Sequence, residues 1–313
     1  MWLIPMLWGG AFLTGATALR EISADTVSFL RFAITIVVGV PIFHAAIRTT
    51  LRGLSADRSM RTARWSAVLV LAATGGVLYH VVFYAGLART EAPIASVVIA
   101  MNPLFTAIGS AVVFRSNRPG VALFTGLVVA FIGVCALAAD KAGGHESSSL
   151  VARIVEGWGT GEWLCLVAAF AWTVYALCLQ RFRATLLAEL PSAGLTMLVY
   201  LVTTLALAPV VVVRGGVAEI AAMSGTAWLC MLYIGILSTV VAYTLYNVVL
   251  DRIGAARTAQ LTYAVPALTT GLALLLVPSF EPTWRTWLGL ACVTLGLVIA
   301  DGRVARRIGA AFR

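Results

Sequence analysis

The chain has 313 residues, of which 61% are apolar and only 11% charged, with a formal net charge of +9. A soluble domain carries about 25% charged residues, so a water-soluble globule is excluded. A basic balance could suit nucleic acid, but the placement of the charges, given below, excludes that partner too.

A bilayer-spanning helix needs about 20 mostly apolar residues. Ten such stretches follow one another: 2–19, 26–48, 65–88, 93–114, 119–139, 160–180, 191–213, 225–249, 256–279 and 284–301. They predict an all-α integral membrane fold of ten transmembrane helices. The first span opens at Met1 with no basic n-region and reads as a retained helix rather than a signal peptide. It carries Trp8. The second span holds Arg31 about five residues inside its outer edge. That side chain can snorkel, pair with Glu21, or hold a carboxylate of a substrate; a structural pair with Glu21 is the first expectation. His44 lies near the inner end of the same span.

In the third span His80 stands beside Tyr79 and Tyr84. Its unperturbed pKa lies near neutrality, which makes it the candidate for proton coupling. The fourth span has Asn102 followed by Pro103. A mid-helix proline cannot donate and pushes away the carbonyl four residues back, here that of Ile99. Gly126 and Gly133 in the fifth span are nearly two turns apart and share a face, which suits close helix packing in lipid. Residues 140–159 (DKAGGHESSSLVARIVEGWG) form a polar Gly/Ser-rich connector.

The sixth span offers Trp172 and Tyr175; the eighth offers Tyr243, Tyr246 and Asn247; the ninth offers Gln260, Thr262, Tyr263 and Pro266, whose ring would free the carbonyl of Thr262. Gly289 and Gly296 in the tenth repeat the seven-residue spacing. A basic tail, 304–313, closes the chain. Mid-span Asn, Gln and His are costly in lipid and often line a cavity; Tyr and Trp near span ends also serve as interface anchors. The five cysteines, Cys135, Cys165, Cys178, Cys230 and Cys292, all lie in spans without a CxxC pair and read as buried thiols.

The chain repeats itself. Residues 84–140 moved forward by 163 fall on 247–303 without gaps: Leu87 on Leu250, Arg89 on Arg252, Ala92 on Ala255, Pro103 on Pro266, Thr106 on Thr269, Pro119 on Pro282, Gly126 on Gly289 and Gly133 on Gly296. Each copy has five spans, and an odd number of crossings puts the second copy in the membrane the other way up. The expected organisation is a first repeat over 1–139, the connector 140–159 on the outer side, a second repeat over 160–303, and the tail. Inverted repeats with a proline-interrupted helix at matching places point to a transport site at the midplane.

With the N-terminus inside, fifteen of the 22 basic residues fall on the cytoplasmic side, six on the outer side, and Arg31 within a span. The bias follows the positive-inside rule and puts both termini in the cytoplasm. It accounts for the basic charge as topology. The near absence of Lys suggests GC-rich coding, hence a bacterial inner membrane.

Trp8-Gly9-Gly10-Ala11-Phe12, Leu30-Arg31-Phe32, Ala85-Gly86-Leu87 with Ala92, Pro93, Ala95 and Asn102-Pro103-Leu104-Phe105, and Phe280-Glu281-Pro282-Thr283 with Trp287-Leu288-Gly289 and Gly296 together resemble the drug/metabolite transporter superfamily, EamA type. Arg115-Ser116-Asn117-Arg118 departs from the Gly-Glu often found before the fifth helix there, and Ala171-Trp172-Thr173-Val174-Tyr175 is a looser match to the start of a repeat. The resemblance implies ten helices in two inverted five-helix repeats, a central cavity, and movement of small organic solutes, often their export.

These readings converge on a secondary transporter, an exporter of a small metabolite such as an amino acid or aromatic compound. Its expected substrate contacts are Trp8, Asn102, Trp172, Tyr175, Tyr243, Asn247, Gln260 and Tyr263, with Pro103 and Pro266 as the helix breaks. No Asp or Glu lies mid-span, which disfavours a carboxylate-driven antiporter and a dedicated organic-cation pump. The three histidines are far apart in sequence and no acid pair lies within a span, so an enzyme is not expected. No metal, cofactor or Gly-rich phosphate loop is expected either. A lipid or lipid-linked flippase, or a non-transporting membrane subunit, is the alternative. The expected partners are a small-molecule substrate and membrane lipid; oligomeric state is open.

Overall fold

The protein is seen in a computed structural model, which describes residues 2–114, 122, 124–126, 128–133, 158–253 and 260–300. The predicted connector up to Gly157, the tail 304–313, the loop Arg115–Arg118, Pro119 and Cys135 lie outside the described residues.

Among the described residues the chain is helical. In chain order the long helices are α1 (Leu3–Ala18), α2 (Ala24–Ser55), α3 (Arg61–Leu87), α4 (Ala92–Phe114), α5 (Phe124–Gly133), α6 (Thr160–Thr185), α7 (Ser192–Val213), α8 (225–253), α9 (260–276) and α10 (Trp284–Ala300). Six of these, α2, α3, α4, α6, α7 and α8, contain a segment long and apolar enough to cross a bilayer; α1, α5, α9 and α10 hold shorter apolar helices. Large apolar side chains are bare on their outer faces, Val213 at 85% and Leu275 at 81% exposure among them. In water such a coat would aggregate; against acyl chains it is the solvent-matched surface.

Starts and stops follow local chemistry. The Ser23 hydroxyl accepts from the Thr26 amide and starts α2; that of Ser224 accepts from the Ala227 amide and starts α8. Both satisfy a donor that helix geometry leaves orphaned. Glu162, 1% exposed, accepts from the Gly159 amide and the Thr90 hydroxyl at the start of α6, where its charge meets the positive end of the helix dipole. After α7 the chain turns at Gly215, whose φ of 81° lies in the left-handed region that Gly tolerates.

Three kinds of irregularity break the helices. Pro41 in α2 is followed by non-helical torsions at Phe43. Within α3, residues Ala72–Leu78 take π-helical turns, and within α8 so do Tyr233–Val241; moved by 163, the first segment falls inside the second. In α4 the helix stops at Ile99 and restarts at Asn102, and α9 opens with a 3₁₀ segment, Gln260–Ala264, before Val265–Leu276. Pro103 and Pro266 are therefore not kinks inside running helices, as the sequence suggested. Each is the second residue of a restarting helix, where its missing N–H would have had no partner anyway.

Packing is exchanged between the two parts of the chain. α1 lies on α8 and α9, while α6 lies on α3 and α4; α2 contacts α8, while α7 contacts α3; α2 and α7 run along each other. A Cβ on Gly133 would meet the Gly289 carbonyl oxygen at 2.7 Å and Cys292 Cβ at 2.8 Å, and one on Gly296 would press on the Gly126 carbonyl and Ala130. Residue 133 thus faces 289 while 126 faces 296, so α5 and α10 run antiparallel with backbones nearly in contact.

Candidate functional site

Two groups of aromatic rings face the middle of the helix assembly. In the first, Trp8 of α1 meets Tyr243 and Tyr246 of α8, each with ring centroids 5.6 Å apart. In the second, Trp172 of α6 meets Tyr79 of α3 at 4.8 Å and Tyr175 at 5.0 Å. Trp8 meets two Tyr of the other half, whereas Trp172 meets Tyr79 of the other half and Tyr175 of its own helix. Between them, Phe32 of α2 meets Tyr200 of α7 at 4.8 Å and His80 of α3 at 4.6 Å. Tyr79, Tyr175, Tyr200 and Tyr243 are each half-buried.

The π-helical turns supply the polar fixings. A wide turn leaves carbonyls out of register with the normal i+4 donor. On α3, His80 Nδ1 lies 2.9 Å from the Gly75 carbonyl oxygen and 3.1 Å from that of Gly76. Carbonyls only accept, so Nδ1 carries the proton. On α8, Trp8 Nε1 donates to the Ser238 carbonyl at 3.2 Å, and the Thr35 hydroxyl donates to that of Gly235 at 3.0 Å. Gly75 and Ser238 are 163 residues apart: equivalent carbonyls, each served by a ring N–H. The Tyr233 hydroxyl donates to the Leu7 carbonyl at 3.1 Å while lying on Gly10, where a Cβ has no room. Gly75 likewise admits the Tyr175 ring.

Arg31 lies at the centre of this region. It is 9% exposed, its Nη1 donates to the Tyr84 hydroxyl at 3.0 Å, and its Nε has no partner. The Tyr200 and Tyr243 phenols and His80 also lie within electrostatic range of it. The expected pair with Glu21 is not made: Glu21 accepts from the Ser224 amide at 2.8 Å and the Ser224 hydroxyl at 2.6 Å. Seven residues separate Arg31 from the start of α2, about 10 Å along a helix, too deep to share that loop's hydrogen bonds.

Of the residues expected to touch substrate, the structure gathers Trp8, Trp172, Tyr175 and Tyr243 around these two ring groups. Asn102 opens the second piece of α4, with Oδ1 buried and unpartnered. Tyr263, in the 3₁₀ segment of α9, packs against the main apolar core, and Pro266 is buried beside it. The side chains of Asn247 and Gln260 lie outside the described residues. Sequence reasoning passed over Tyr200, although the one aromatic ring amid the Leu and Val of α7 was the signal to follow. A separate cavity of about 180 Å³ lies between the ends of α4, α9 and α10, lined by Glu91, Pro93, Val97, Thr270, Phe280 and Glu281; none of the expected site residues borders it.

The α1–α2 loop and the connector after α7 hold each other. Glu219 accepts from the Ser23 amide at 2.9 Å, the Ser23 hydroxyl at 2.9 Å and the Thr26 hydroxyl at 2.6 Å. Glu21 takes the corresponding bonds from Ser224. Arg214 pairs with Asp25 at 2.6 Å. Each of these two capping serines, Ser23 and Ser224, is thus itself bound by a glutamate of the other half.

Similarity to known proteins follows the whole length of the chain. An uncharacterized transporter of Archaeoglobus fulgidus is 23% identical over 301 residues, covering 96% of both chains, and another from that archaeon is 26% identical over 306 residues, covering 95% of this chain and 97% of its own. A solved crystal structure superposes with a TM-score of 0.59 at 20% identity over 97% of each chain, which shows a shared fold. The family model for EamA-like transporters matches residues 1–139 and 159–300, and the chain belongs to the EamA-like transporter family.

Proposed function

We propose that this multi-pass membrane transporter is a secondary exporter of a small metabolite, an amino acid or aromatic compound. It would work by alternating access between two inverted five-helix repeats, with ten spans and both termini in the cytoplasm. The observation that carries the reading is the antiparallel contact of α5 and α10. These helices are equivalent under the 163-residue offset, and Gly133 faces Gly289 as Gly296 faces Gly126. Equivalent segments running in opposite directions are what an inverted repeat requires. The exchange of α1 and α6 between the two parts supports the same symmetry.

Trp8 and Tyr243 on one side, and Trp172 and Tyr175 on the other, would be the walls of the path. Asn102, Asn247, Gln260 and Tyr263 would add polar contacts next to the restarting helices at Pro103 and Pro266. His80 has its Nδ1 proton committed to the backbone, so any proton it relays would pass through Nε2. Everted vesicles from cells overexpressing the chain should accumulate a metabolite that such cells release in excess, and Asn102→Leu and Gln260→Leu should abolish accumulation. Unchanged accumulation in both variants would remove those side chains from the mechanism. Tags next to Trp2 and Phe312 should both report the cytoplasm; opposite faces would end the ten-span scheme.

A further inference from the structure

Arg31 is the one cation among the described residues that is buried in the helix interior. Taking a guanidinium out of water costs several kcal/mol unless it is paired and hydrogen-bonded. Here a neutral phenol takes one N–H, Nε takes none, and among the described residues no carboxylate pairs with it. Arg cannot escape by giving up its proton. A fold that keeps such a charge without a counter-ion leaves room for one to arrive.

We infer that Arg31 is the counter-ion for the anionic group of the transported molecule, and that this group is a carboxylate on an aromatic or apolar body. The inference rests on the exporter reading and names its substrate class. Three observations shape it. A single buried positive charge matches a monoanion, whereas a dianionic phosphate would leave one charge uncompensated. The planar guanidinium fork fits the two oxygens of a carboxylate. The Tyr84 hydroxyl touches the guanidinium and the Tyr200 and Tyr243 phenols lie within its electrostatic range; such hydroxyls can donate to an anion, and their ring faces suit an apolar body. The ring groups around Trp8 and Trp172 extend that apolar surface on both sides.

The test uses the purified full chain in lipid nanodiscs. Thermal unfolding is followed with phenylacetate or indole-3-acetate, with their neutral amides, with phenyl phosphate, and with sodium chloride at matched ionic strength. The acids should raise the midpoint saturably and the amides should not. Arg31→Gln should weaken the response at least tenfold, and Arg31→Lys should keep part of it. Without ligand, Arg31→Gln should be as stable as the parent or more so, because it removes an unpaired buried charge; an arginine kept for structure would give the opposite. Equal shifts by acids and amides, stronger shifts by phenyl phosphate or chloride, or an acid response that survives Arg31→Gln would each overturn the inference. Flux in proteoliposomes separates the two readings. Arg31-dependent binding without flux leaves the anion site standing and sinks the exporter. Flux of a neutral solute untouched by Arg31→Gln does the reverse.

Discussion

Replacing Glu219 by Gln should loosen the joint between the α1–α2 loop and the connector after α7. Its carboxylate accepts three hydrogen bonds from Ser23 and Thr26, which makes it the most heavily bonded side chain in that joint. Hydrogen bonds to a charged group contribute about 1.5–3 kcal/mol each and neutral ones about 1 kcal/mol. A glutamine offers one oxygen and turns an NH₂ toward the same donors, so the full difference over three bonds would reach several kcal/mol. The site is partly open to water, and exposed charge interactions keep only a fraction of that value. About 1–2 kcal/mol is the expected loss, or roughly 2–6 °C in the unfolding midpoint by the scaling of large domains.

The pH dependence gives a second axis. Partial burial pushes the Glu219 carboxyl up, but bonds from the Thr26 hydroxyl and from the amide and hydroxyl of Ser23 outweigh it and leave the group below the usual glutamate range. The Ser224 hydroxyl and amide lower Glu21 in the same direction. A carboxyl lowered in the folded state stabilises fully above its unfolded value, about 4.3, and the contribution fades as acid takes the pH through the lower folded value. The parent should therefore lose midpoint from about pH 5 downward, and a Glu21→Gln, Glu219→Gln double variant should lose less over that window. Thermal unfolding of the detergent-solubilised protein at a series of pH values measures both effects. A Glu219→Gln midpoint equal to the parent at neutral pH, or an identical acid slope in the double variant, would refute the reasoning.

Other substitutions test the packing and the π-helical turns. Gly133→Leu has no space against Gly289 and Cys292 and should cost at least the 1–3 kcal/mol typical of overpacking. Gly271→Ala, with nothing within 4 Å of the new carbon, should leave the midpoint unchanged or raise it by about the helix-propensity gain of 0.5–1 kcal/mol; a loss at Gly271 as large as that at Gly133 would deny the close approach. His80→Leu removes the donor to the Gly75 and Gly76 carbonyls and should cost about 1–3 kcal/mol, while His80→Asn, with an amide N–H near the Nδ1 position, should recover part of it. If both variants unfold alike, the ring N–H is not what holds that turn. Trp8→Phe keeps an aromatic ring but deletes the donor to the Ser238 carbonyl, so transport should fall more than thermal stability does; the reverse order would assign Trp8 to packing alone.

Much of the architecture was legible because a lipid-spanning helix announces itself by composition and length. The proline pair was legible as a break and misjudged in kind. Residue type alone cannot say whether the chain runs on through Pro103 or restarts there, since proline suits the first turn of a helix as well as it disrupts the middle. The π-helical turns left no trace, because an extra residue per turn changes neither hydropathy nor caps. Arg31 was misplaced for a geometric reason. The carboxylate expected to pair with it, Glu21, lies in a loop whose partner, Ser224, is about two hundred residues away, and nothing local reveals such a pairing. Helices apolar on every side also give no periodic signal, which is why Tyr200 escaped notice while the Trp-Tyr clusters did not.

The exchanged contacts bear on what can move. A carrier that rocked residues 1–139 as one block against 160–300 would have to pull α1 from α8 and α9, and α6 from α3 and α4, at the same moment. Those are extensive apolar contacts, held further by Trp8 on the Ser238 carbonyl, Tyr233 on the Leu7 carbonyl and the rings of Trp172 and Tyr79. The groups with the most to lose by separating are α1 with α8 and α9, and α6 with α3 and α4, each made from both parts of the chain. The α2–α7 pair touches both groups, through Thr35 on the Gly235 carbonyl and through Thr203 against Gly76. Motion that preserves these contacts is a tilt of one mixed group against the other about α2 and α7. Under the proposed alternating access, the π-helical turns in α3 and α8 and the restarting helices at Pro103 and Pro266, each pair related by the 163-residue offset, would supply the hinges. Arg31 and Tyr200 lie on the α2–α7 pair itself, so a ligand held there would stay in place while the two aromatic walls closed on it in turn.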